Sequence, residues 1–250
     1  MIKKIRKVLI IFLDLLFARK CLICQEFGND YLCYKCFKSL TFKAQSCPNC
    51  GIKNKNGEFC QNCKKYFSYQ GIMVAGDFND KKLSKLIKSF KYNLIKEIGQ
   101  FLGQFLFNFF ENNIWINPIF EHETDDGFNK KNSLIMAIPL STKRQKWRGF
   151  NQSEVLAEII SKKSKIPIFN KLNRKRNTKS QSKLKKIERK TNLENCFEIR
   201  DKNNSLKIIQ NKKIIIIDDV ATSGSTIEEL SKEIKKYQPL EIWGLVLAHG

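Results

Sequence analysis

The sequence predicts an α/β protein: a parallel sheet flanked by helices, preceded by a small N-terminal module built on metal-bound cysteines. Three observations carry this. Ile214 to Ile217 are four consecutive isoleucines, the mark of a central parallel strand covered on both faces. From residue 69 onward apolar runs alternate with segments of helical spacing, the pattern of a sheet with crossover helices. Eight of the nine cysteines fall in four C-x-x-C pairs.

At 250 residues, with 42% hydrophobic and 28% charged composition, the chain is long enough for one or two domains and too apolar to be disordered. Near the N-terminus, Val8 to Ala18 holds about ten apolar residues broken by Asp14. That is half of the ~20 a spanning helix needs. Ala18-Arg19-Lys20 lacks the small-residue cleavage pattern of a secretory signal. Residues 1–20 are therefore expected to form an amphipathic helix, with no membrane span and a cytoplasmic location. The net charge of +22 suits polyanion partners, although only eight of the 46 basic residues are arginine. Two zinc ions on eight thiolates would lower the charge to +18.

The pairs Cys21/Cys24, Cys33/Cys36, Cys47/Cys50 and Cys60/Cys63 are separated by eight, ten and nine residues. A C-x-x-C turn points two thiolates at one ion, and two such turns complete a tetrahedral shell. Disulfides suit secreted chains, and a redox dithiol would be a single pair beside a βαβ unit. Two structural zinc ions in a double ribbon over residues 21–66 are expected. Sequential sharing puts Cys21, Cys24, Cys33 and Cys36 on one ion and Cys47, Cys50, Cys60 and Cys63 on the other, an interleaved cross-brace being the alternative. Cys196 reads as a half-buried small side chain.

Residues 67–250 form the α/β part. Tyr69 to Phe78 reads as a strand. Leu83, Leu86, Ile87 and Phe90, then Leu94 to Phe109, lie at helical spacing. Residues 111–132 are a polar insertion carrying His122 among acids, read as a solvated loop. Leu134 to Leu140 is a buried strand ended by Pro139. Asn151 with Glu154 forms a capping-box arrangement for a helix whose face is Val155, Leu156, Ile159 and Ile160. Residues 171–190 carry ten basic residues and one acid, a flexible basic loop. A helix from about Thr226 and a strand from Ile242 to Leu247 complete the fold.

The most informative segment is Ile214-Ile-Ile-Ile-Asp-Asp-Val-Ala-Thr-Ser-Gly-Ser-Thr226. A buried strand ends in two carboxylates, and a small-residue turn then opens into a helix. The backbone N–H groups of Ala221, Thr222, Ser223, Gly224, Ser225 and Thr226 form an anion cradle at the helix's positive end. Asp218 and Asp219 would repel a phosphate and instead suit a ribose diol. Together they describe a site for a 5′-phosphorylated ribose. Five of the eight arginines lie between residues 144 and 189, which points to forked contacts to phosphate.

This segment resembles the phosphoribosyl pyrophosphate (PRPP) motif of type I phosphoribosyltransferases. Ile138-Pro-Leu-Ser-Thr-Lys-Arg-Gln-Lys-Trp-Arg-Gly-Phe-Asn-Gln152 is similar to the pyrophosphate loop and R-G-F-N-Q signature of the ComF family. Leu172, Arg174, Thr178, Gln181, Leu184, Arg189, Asn192 and Phe197, the cysteine pairs and Leu83 to Tyr92 follow that family's order. The resemblance implies a phosphoribosyltransferase-like sheet, PRPP and Mg²⁺ as ligands, and a role in natural competence and DNA uptake. Asp218 and Asp219 would hold the ribose hydroxyls and be the catalytic pair in an active enzyme. Residues 221–226 would bind the 5′-phosphate. Ser141, Thr142, Lys143 and Arg144 would face the pyrophosphate, and residues 171–190 would close over the site. Thr222 stands where hypoxanthine–guanine relatives carry an Asp, which argues against purine salvage. His249 is the remaining, weaker candidate for a base.

Single-stranded DNA is the expected macromolecular partner, with Trp147 and Phe150 as the nearest stacking aromatics. A protein of the competence machinery is a further candidate partner. The alternatives are an active phosphoribosyltransferase on an unidentified nucleobase, and a PRPP-sensing adaptor whose ribbons recruit a protein.

Overall fold

The computed structural model describes residues 19–112, 128–175 and 195–250. The N-terminal helix expected over residues 1–20, most of the insertion with His122, and residues 176–190 of the basic loop lie outside them, as do Thr178, Gln181, Leu184, Arg189 and Asn192.

Two short helices, α1 (Tyr34–Lys38) and α2 (Gln61–Lys64), belong to the cysteine-rich segment. There follow β1 (Gly71–Asp77), α3 (Lys81–Tyr92), α4 (Ile98–Asn112) and β2 (Ser133–Ala137). Next come α5 (Thr142–Arg148), α6 (Gln152–Ser164), β3 (Leu172–Arg174) and β4 (Phe197–Ile199). The chain ends with α7 (Lys202–Ile209), β5 (Lys213–Ala221), α8 (Ser225–Lys235) and β6 (Glu241–His249). The main sheet has the order β1-β6-β5-β2, with every pair parallel. Strands β3 and β4 form a small antiparallel pair.

Alternation along the strands divides the core in two. Met73, Ala75, Ile135, Ile215, Ile217 and Leu245 pack with α3, α4 and α6 on one face. Ile72, Val74, Met136, Ile214, Ile216 and Val246 pack with Ile227, Leu230 and Ile234 of α8 on the other. The isoleucine run is therefore buried on both sides, as its composition requires. Glycines set the approach of α4 to α6. A Cβ on Gly103 would lie 2.5 Å from Ile159 Cδ1, and one on Gly99 would lie 2.7 Å from Val155 Cγ1.

The cysteine-rich segment straddles the β1 edge. Cys21, Leu32 and Cys36 join the first core cluster, whereas Cys47, Phe59 and Cys63 join the second. Between them the chain covers the open side of β1. Ile72 N donates to Gly57 O (2.8 Å) and Lys43 N to Ala75 O (3.0 Å). The buried Gln45 side chain donates to Val74 O (2.8 Å) and accepts from Val74 N (2.9 Å). An uncovered edge would be a template for pairing with another chain.

Four expectations need correction. The second helix starts at Ile98 rather than Leu94, because α3 ends at Tyr92 with Asn93 as its C-cap and Leu94 takes a left-handed turn at φ 59°. Strand β2 ends at Ala137, short of Leu140, since Pro139 has no N–H for the ladder. Asn151 caps α6 by accepting from Ser153 N (3.1 Å), with no return bond from Glu154 among the described residues, so the cap is one-sided. Cys196 is fully buried, not half-buried.

Candidate functional site

The four sulfurs of Cys21, Cys24, Cys33 and Cys36 lie within 4.8 Å of one another, and so do those of Cys47, Cys50, Cys60 and Cys63. The pairing is sequential. A Zn–S bond of ~2.3 Å sets a tetrahedral edge of ~3.8 Å. The Sγ–Sγ distances are 3.8 Å for Cys24–Cys33 and 3.6 Å for Cys50–Cys60. Burial raises the Cys21 thiol, but backbone N–H groups from Cys33, Cys24 and Ile23 outweigh it and bring it down to about 6. Burial and the three neighbouring thiols push Cys36 up to about 12. One thiolate forms readily and the last resists, a conflict a divalent cation relieves. The donor sets fit two closed, structural Cys₄ zinc sites.

At the C-terminal end of β5 the chain leaves Ala221, turns through Thr222 to Gly224, and enters α8. Gly224 has φ 69°, and a Cβ there would meet the Tyr69 hydroxyl at 2.5 Å. Both conformation and space demand glycine. The hydroxyls of Ser223 and Ser225 are 2.6 Å apart. The turn is braced from behind: Glu228, in the first turn of α8, accepts from Ser68 N (2.8 Å) and Ser68 Oγ (3.0 Å). Asp218, Thr222, Gly224, Ser225 and Thr226 line a small hollow at the head of the helix, where N–H groups and dipole favour an anion.

Beside it opens a cavity of about 170 Å³ that holds both carboxylates and several cations. Lys91 Nζ, from the end of α3, lies 2.9 Å from Asp219 Oδ1, with the side chains only 17% and 9% exposed. Ser153 Oγ donates to Asp218 Oδ1 at 3.0 Å. Burial first, and then the Asp219 charge, push the Asp218 carboxyl up, against the pull of Lys91. Arg144, Arg148 and Arg174 line the same cavity. Burial lowers the Arg144 pKa, and the charges of Arg174 and Arg148 lower it further. Arg148 is held by Gln152 Oε1 (2.8 Å), itself anchored to Phe90 O (3.2 Å). Its buried Nε has no hydrogen-bond partner among the described residues. Guanidinium groups gathered in a half-buried space suit a multiply charged anion. Two carboxylates in the same space suit hydroxyls. The cavity thus matches a ligand carrying both.

Of the residues singled out in the sequence, Asp218, Asp219, Thr222, Thr226 and Arg144 meet in this cavity. Ala221, Gly224 and Ser225 contribute to the adjoining hollow. Ser223 faces a different cavity behind the turn. Ser141 is buried as the N-cap of α5, and Thr142 and Lys143 point to solvent, so only Arg144 of that group reaches in. Phe150 packs on Phe90 with ring centroids 5.3 Å apart, whereas Trp147 is 58% exposed and lies 6.4 Å from Tyr92, which lines the cavity. Lys91 and Ser153 belong to no motif that the sequence singles out. Both had a signal: Lys91 follows Leu83 and Ile87 at four-residue steps on the buried stripe of α3, and Ser153 precedes Leu156 and Ile160 on that of α6.

Comparison with known proteins agrees with this geometry. Residues 12–64 match the double zinc ribbon domain, and residues 150–249 match the phosphoribosyl transferase domain. Competence protein F of Haemophilus influenzae is 27% identical over 240 residues, covering 93% of this chain and 98% of that protein. Competence protein ComFC of Bacillus subtilis is 30% identical over 206 residues, covering 80% and 75%. DNA utilization protein YhgH of Escherichia coli is 26% identical over 218 residues, covering 85% and 88%. With two Cys₄ ribbons folded against a phosphoribosyl transferase sheet, and relatives of that name aligned over most of its length, the chain belongs to the ComF family of competence proteins.

Proposed function

We propose that the chain is a PRPP-binding protein of DNA uptake that also contacts single-stranded DNA. The observation that carries the first part is the convergence of Asp218 and Asp219 with three arginines and Lys91 beside the helix-capping turn. Asp218 and Asp219 take the ribose hydroxyls, and the turn from Ala221 to Thr226 takes the 5′-phosphate. Arg144 and Arg148 neutralise the pyrophosphate. Mg²⁺ enters with the ligand, bound largely through its oxygens and water. The Lys91–Asp219 ion pair holds the carboxylate in place until hydroxyls replace the ammonium. A calorimetric titration of the zinc-loaded protein with Mg²⁺–PRPP should saturate at one ligand per chain. Asp218→Asn with Asp219→Asn should abolish the heat. Unchanged binding by that double variant would place PRPP elsewhere.

The DNA contact is supported by the relatives' names and by the cavity rim. Tyr92 and Trp147 are 53% and 58% exposed, and Arg148 lies 5.7 and 6.0 Å from their ring centroids. Exposed rings beside a guanidinium offer a stacking platform worth ~1–3 kcal/mol per base. Trp147→Ala should weaken binding of a fluorescent oligothymidylate about tenfold at both low and high salt, because stacking is not screened. A loss that vanishes at high salt would reduce the contact to charge alone.

A further inference from the structure

The second ribbon runs almost directly into the phosphate turn. Its last ligand, Cys63, stands five residues before Ser68. Asn49 Nδ2 donates to Cys63 Sγ (3.3 Å), which ties that ligand to the turn of the third cysteine pair. Beyond it the chain stays wound: Tyr66 N donates to Cys63 O (3.0 Å) and Phe67 N to Lys64 O (3.3 Å). The Phe67 ring stacks on Phe59 at 4.0 Å with the planes 6° apart, and Tyr69 meets the two edge-on at 5.8 and 5.0 Å. Phe59 is itself the neighbour of the ligand Cys60. Residues 67–69 are thus fixed against the metal site by chain on both sides of it.

The same residues hold the head of α8. Ser68 gives its N–H and its hydroxyl to the two carboxylate oxygens of Glu228. Glu228 N in turn donates to Gly224 O at 2.9 Å, the first bond of the helix. The Tyr69 hydroxyl lies where a Cβ on Gly224 would meet it at 2.5 Å. Across the rest of the seam a cavity of about 820 Å³ parts Pro48, Asn49 and Tyr66 from Thr222 to Ser225. Contact between ribbon and turn is therefore concentrated in Ser68 and Tyr69. The free N–H groups at a helix head serve an anion only when turn and helix keep their setting. A segment as small as the ribbon unfolds without its metal. Ser68 would then release Glu228, whose carboxylate now faces the larger cavity. A negative charge set loose in the first turn works with the helix dipole against a bound phosphate.

We propose that Glu228 is a positioning residue through which the second zinc site controls the phosphate turn. Zinc on Cys47, Cys50, Cys60 and Cys63 holds the turn in its anion-binding form by way of Ser68 and Tyr69, and the first zinc has no such role. The proposal takes its ligand from the PRPP reading above and adds a control on that ligand's affinity. The first ribbon docks away from the turn: Leu32 and Cys36 enter the opposite core face, and Ser39 Oγ accepts from Lys82 Nζ (2.9 Å) at the start of α3. A coupling between two bindings is reciprocal. Zinc in the second site tightens PRPP, and PRPP tightens zinc in the second site alone.

The test uses the full chain and a matched pair of variants. Cys24→Ser and Cys50→Ser each remove an exposed ligand, one from each site, and metal analysis should find one zinc ion left in either. In calorimetry with Mg²⁺–PRPP, Cys50→Ser should bind about tenfold more weakly than wild type, and Cys24→Ser should be unchanged. Equal losses overturn the proposal. Glu228→Ala keeps both zinc ions and should reproduce the Cys50→Ser loss, with Glu228→Gln recovering part of it through its remaining acceptor. Combining Glu228→Ala with Cys50→Ser should add nothing further, since both cut one path. Additive losses overturn that path. Titrating wild type with a chelator should show the second zinc held about tenfold more tightly when PRPP is present, and the first unchanged. Hydrogen exchange in residues 222–226 reads the turn without PRPP and should rise in Cys50→Ser and Glu228→Ala but not in Cys24→Ser. If exchange responds in this way while wild type fails to titrate with PRPP, the PRPP reading falls and the coupling stands. Unchanged exchange in protein that does titrate overturns the coupling.

Discussion

The cysteine-rich segment leaves Phe27, Tyr34, Phe42, Ile52 and Tyr66 exposed, five large apolar side chains within residues 21–66. The α/β part, with three to four times as many residues, buries Phe90, Phe109, Phe110, Leu102 and Leu106 almost completely. One region has too little interior to hold its shape by burial, and the other is made of little else. The ribbons meet this shortage in two ways, by chelation and by borrowing the sheet. Each sends two cysteines and a large apolar side chain (Leu32 in the first, Phe59 in the second) into a different face of the main core. Metal sets the local turns, and the sheet's apolar faces supply what the ribbons lack.

Removing metal is the strongest way to break that comparison. Structural zinc contributes apparent folding energy of ~10–16 kcal/mol per ion. Cys36→Ser should lower the zinc content from two ions to one and unfold the first ribbon. Hydrogen exchange in residues 21–40 should then approach that of an unstructured chain, while β5 and β6 remain protected. Metal analysis with exchange mass spectrometry reads both effects. If β5 lost protection as well, the sheet would depend on the ribbon as much as the ribbon on the sheet.

What was legible in the sequence follows the same divide. The ribbons, the isoleucine strand and the phosphate turn are local: spacing, a run, and small residues at a strand-to-helix junction write them into short stretches. Sequential zinc sharing needed the structure, because both pairings satisfy the same C-x-x-C geometry. The contacts that complete the cavity are long-range. Ser153 and Asp218 are 65 residues apart, and Lys91 reaches Asp219 from the end of a helix whose periodicity announces only its apolar stripe. The docking of the ribbons on opposite faces was also hidden, since alternation in β1 names two faces without naming their partners. Arg144 was legible through arginine scarcity. Ser141, Thr142 and Lys143 join it through the resemblance to a pyrophosphate loop, and in the structure Ser141 is buried as the N-cap of α5 while Thr142 and Lys143 are exposed.

Core truncation sharpens the contrast next. Phe110, fully buried on α4 with its ring 5.9 Å from Phe128, should cost ~3–5 kcal/mol as Phe110→Ala in urea unfolding. Phe27→Ala, at a residue 71% exposed in the first ribbon, should stay within about 0.5 kcal/mol. Equal losses would mean that the ribbon carries an apolar interior of its own.

A smaller effect separates function from stability inside the core. The Asp218 carboxyl is raised to about 7 in the folded chain, from ~3.9 when unfolded. Its protonated form is the one the fold favours, so its contribution is full below pH ~4 and is lost as pH rises through about 7. Asp218→Asn has no proton to lose and can still accept from Ser153. The variant should therefore match the wild type near pH 4 and exceed it by on the order of 1–3 kcal/mol at pH 8, even as PRPP binding disappears. Thermal unfolding at the two pH values measures this. A variant less stable than wild type at pH 8 would mean that the attraction of the Lys91 charge for the Asp218 carboxylate outweighs burial and the Asp219 charge.

The smallest predicted effect joins the two themes, because Asn151 serves fold and site together. It is 2% exposed, caps α6 through Ser153 N, and donates from Nδ2 to Ile138 O at 3.0 Å. Ile138 begins the segment that leads from β2 to Arg144, and it lines the arginine cavity. Asn151→Ala removes a cap worth about 1 kcal/mol and leaves a buried carbonyl without its donor. A stability loss of about 1–2 kcal/mol is expected, with PRPP affinity falling several-fold because Arg144 is no longer held in register with Asp218. Asn151→Asp keeps the cap but cannot donate to Ile138 O. It should recover part of the stability and none of the affinity. Full recovery of affinity in Asn151→Asp would show that the cap alone positions the loop, and that the bond to Ile138 does not.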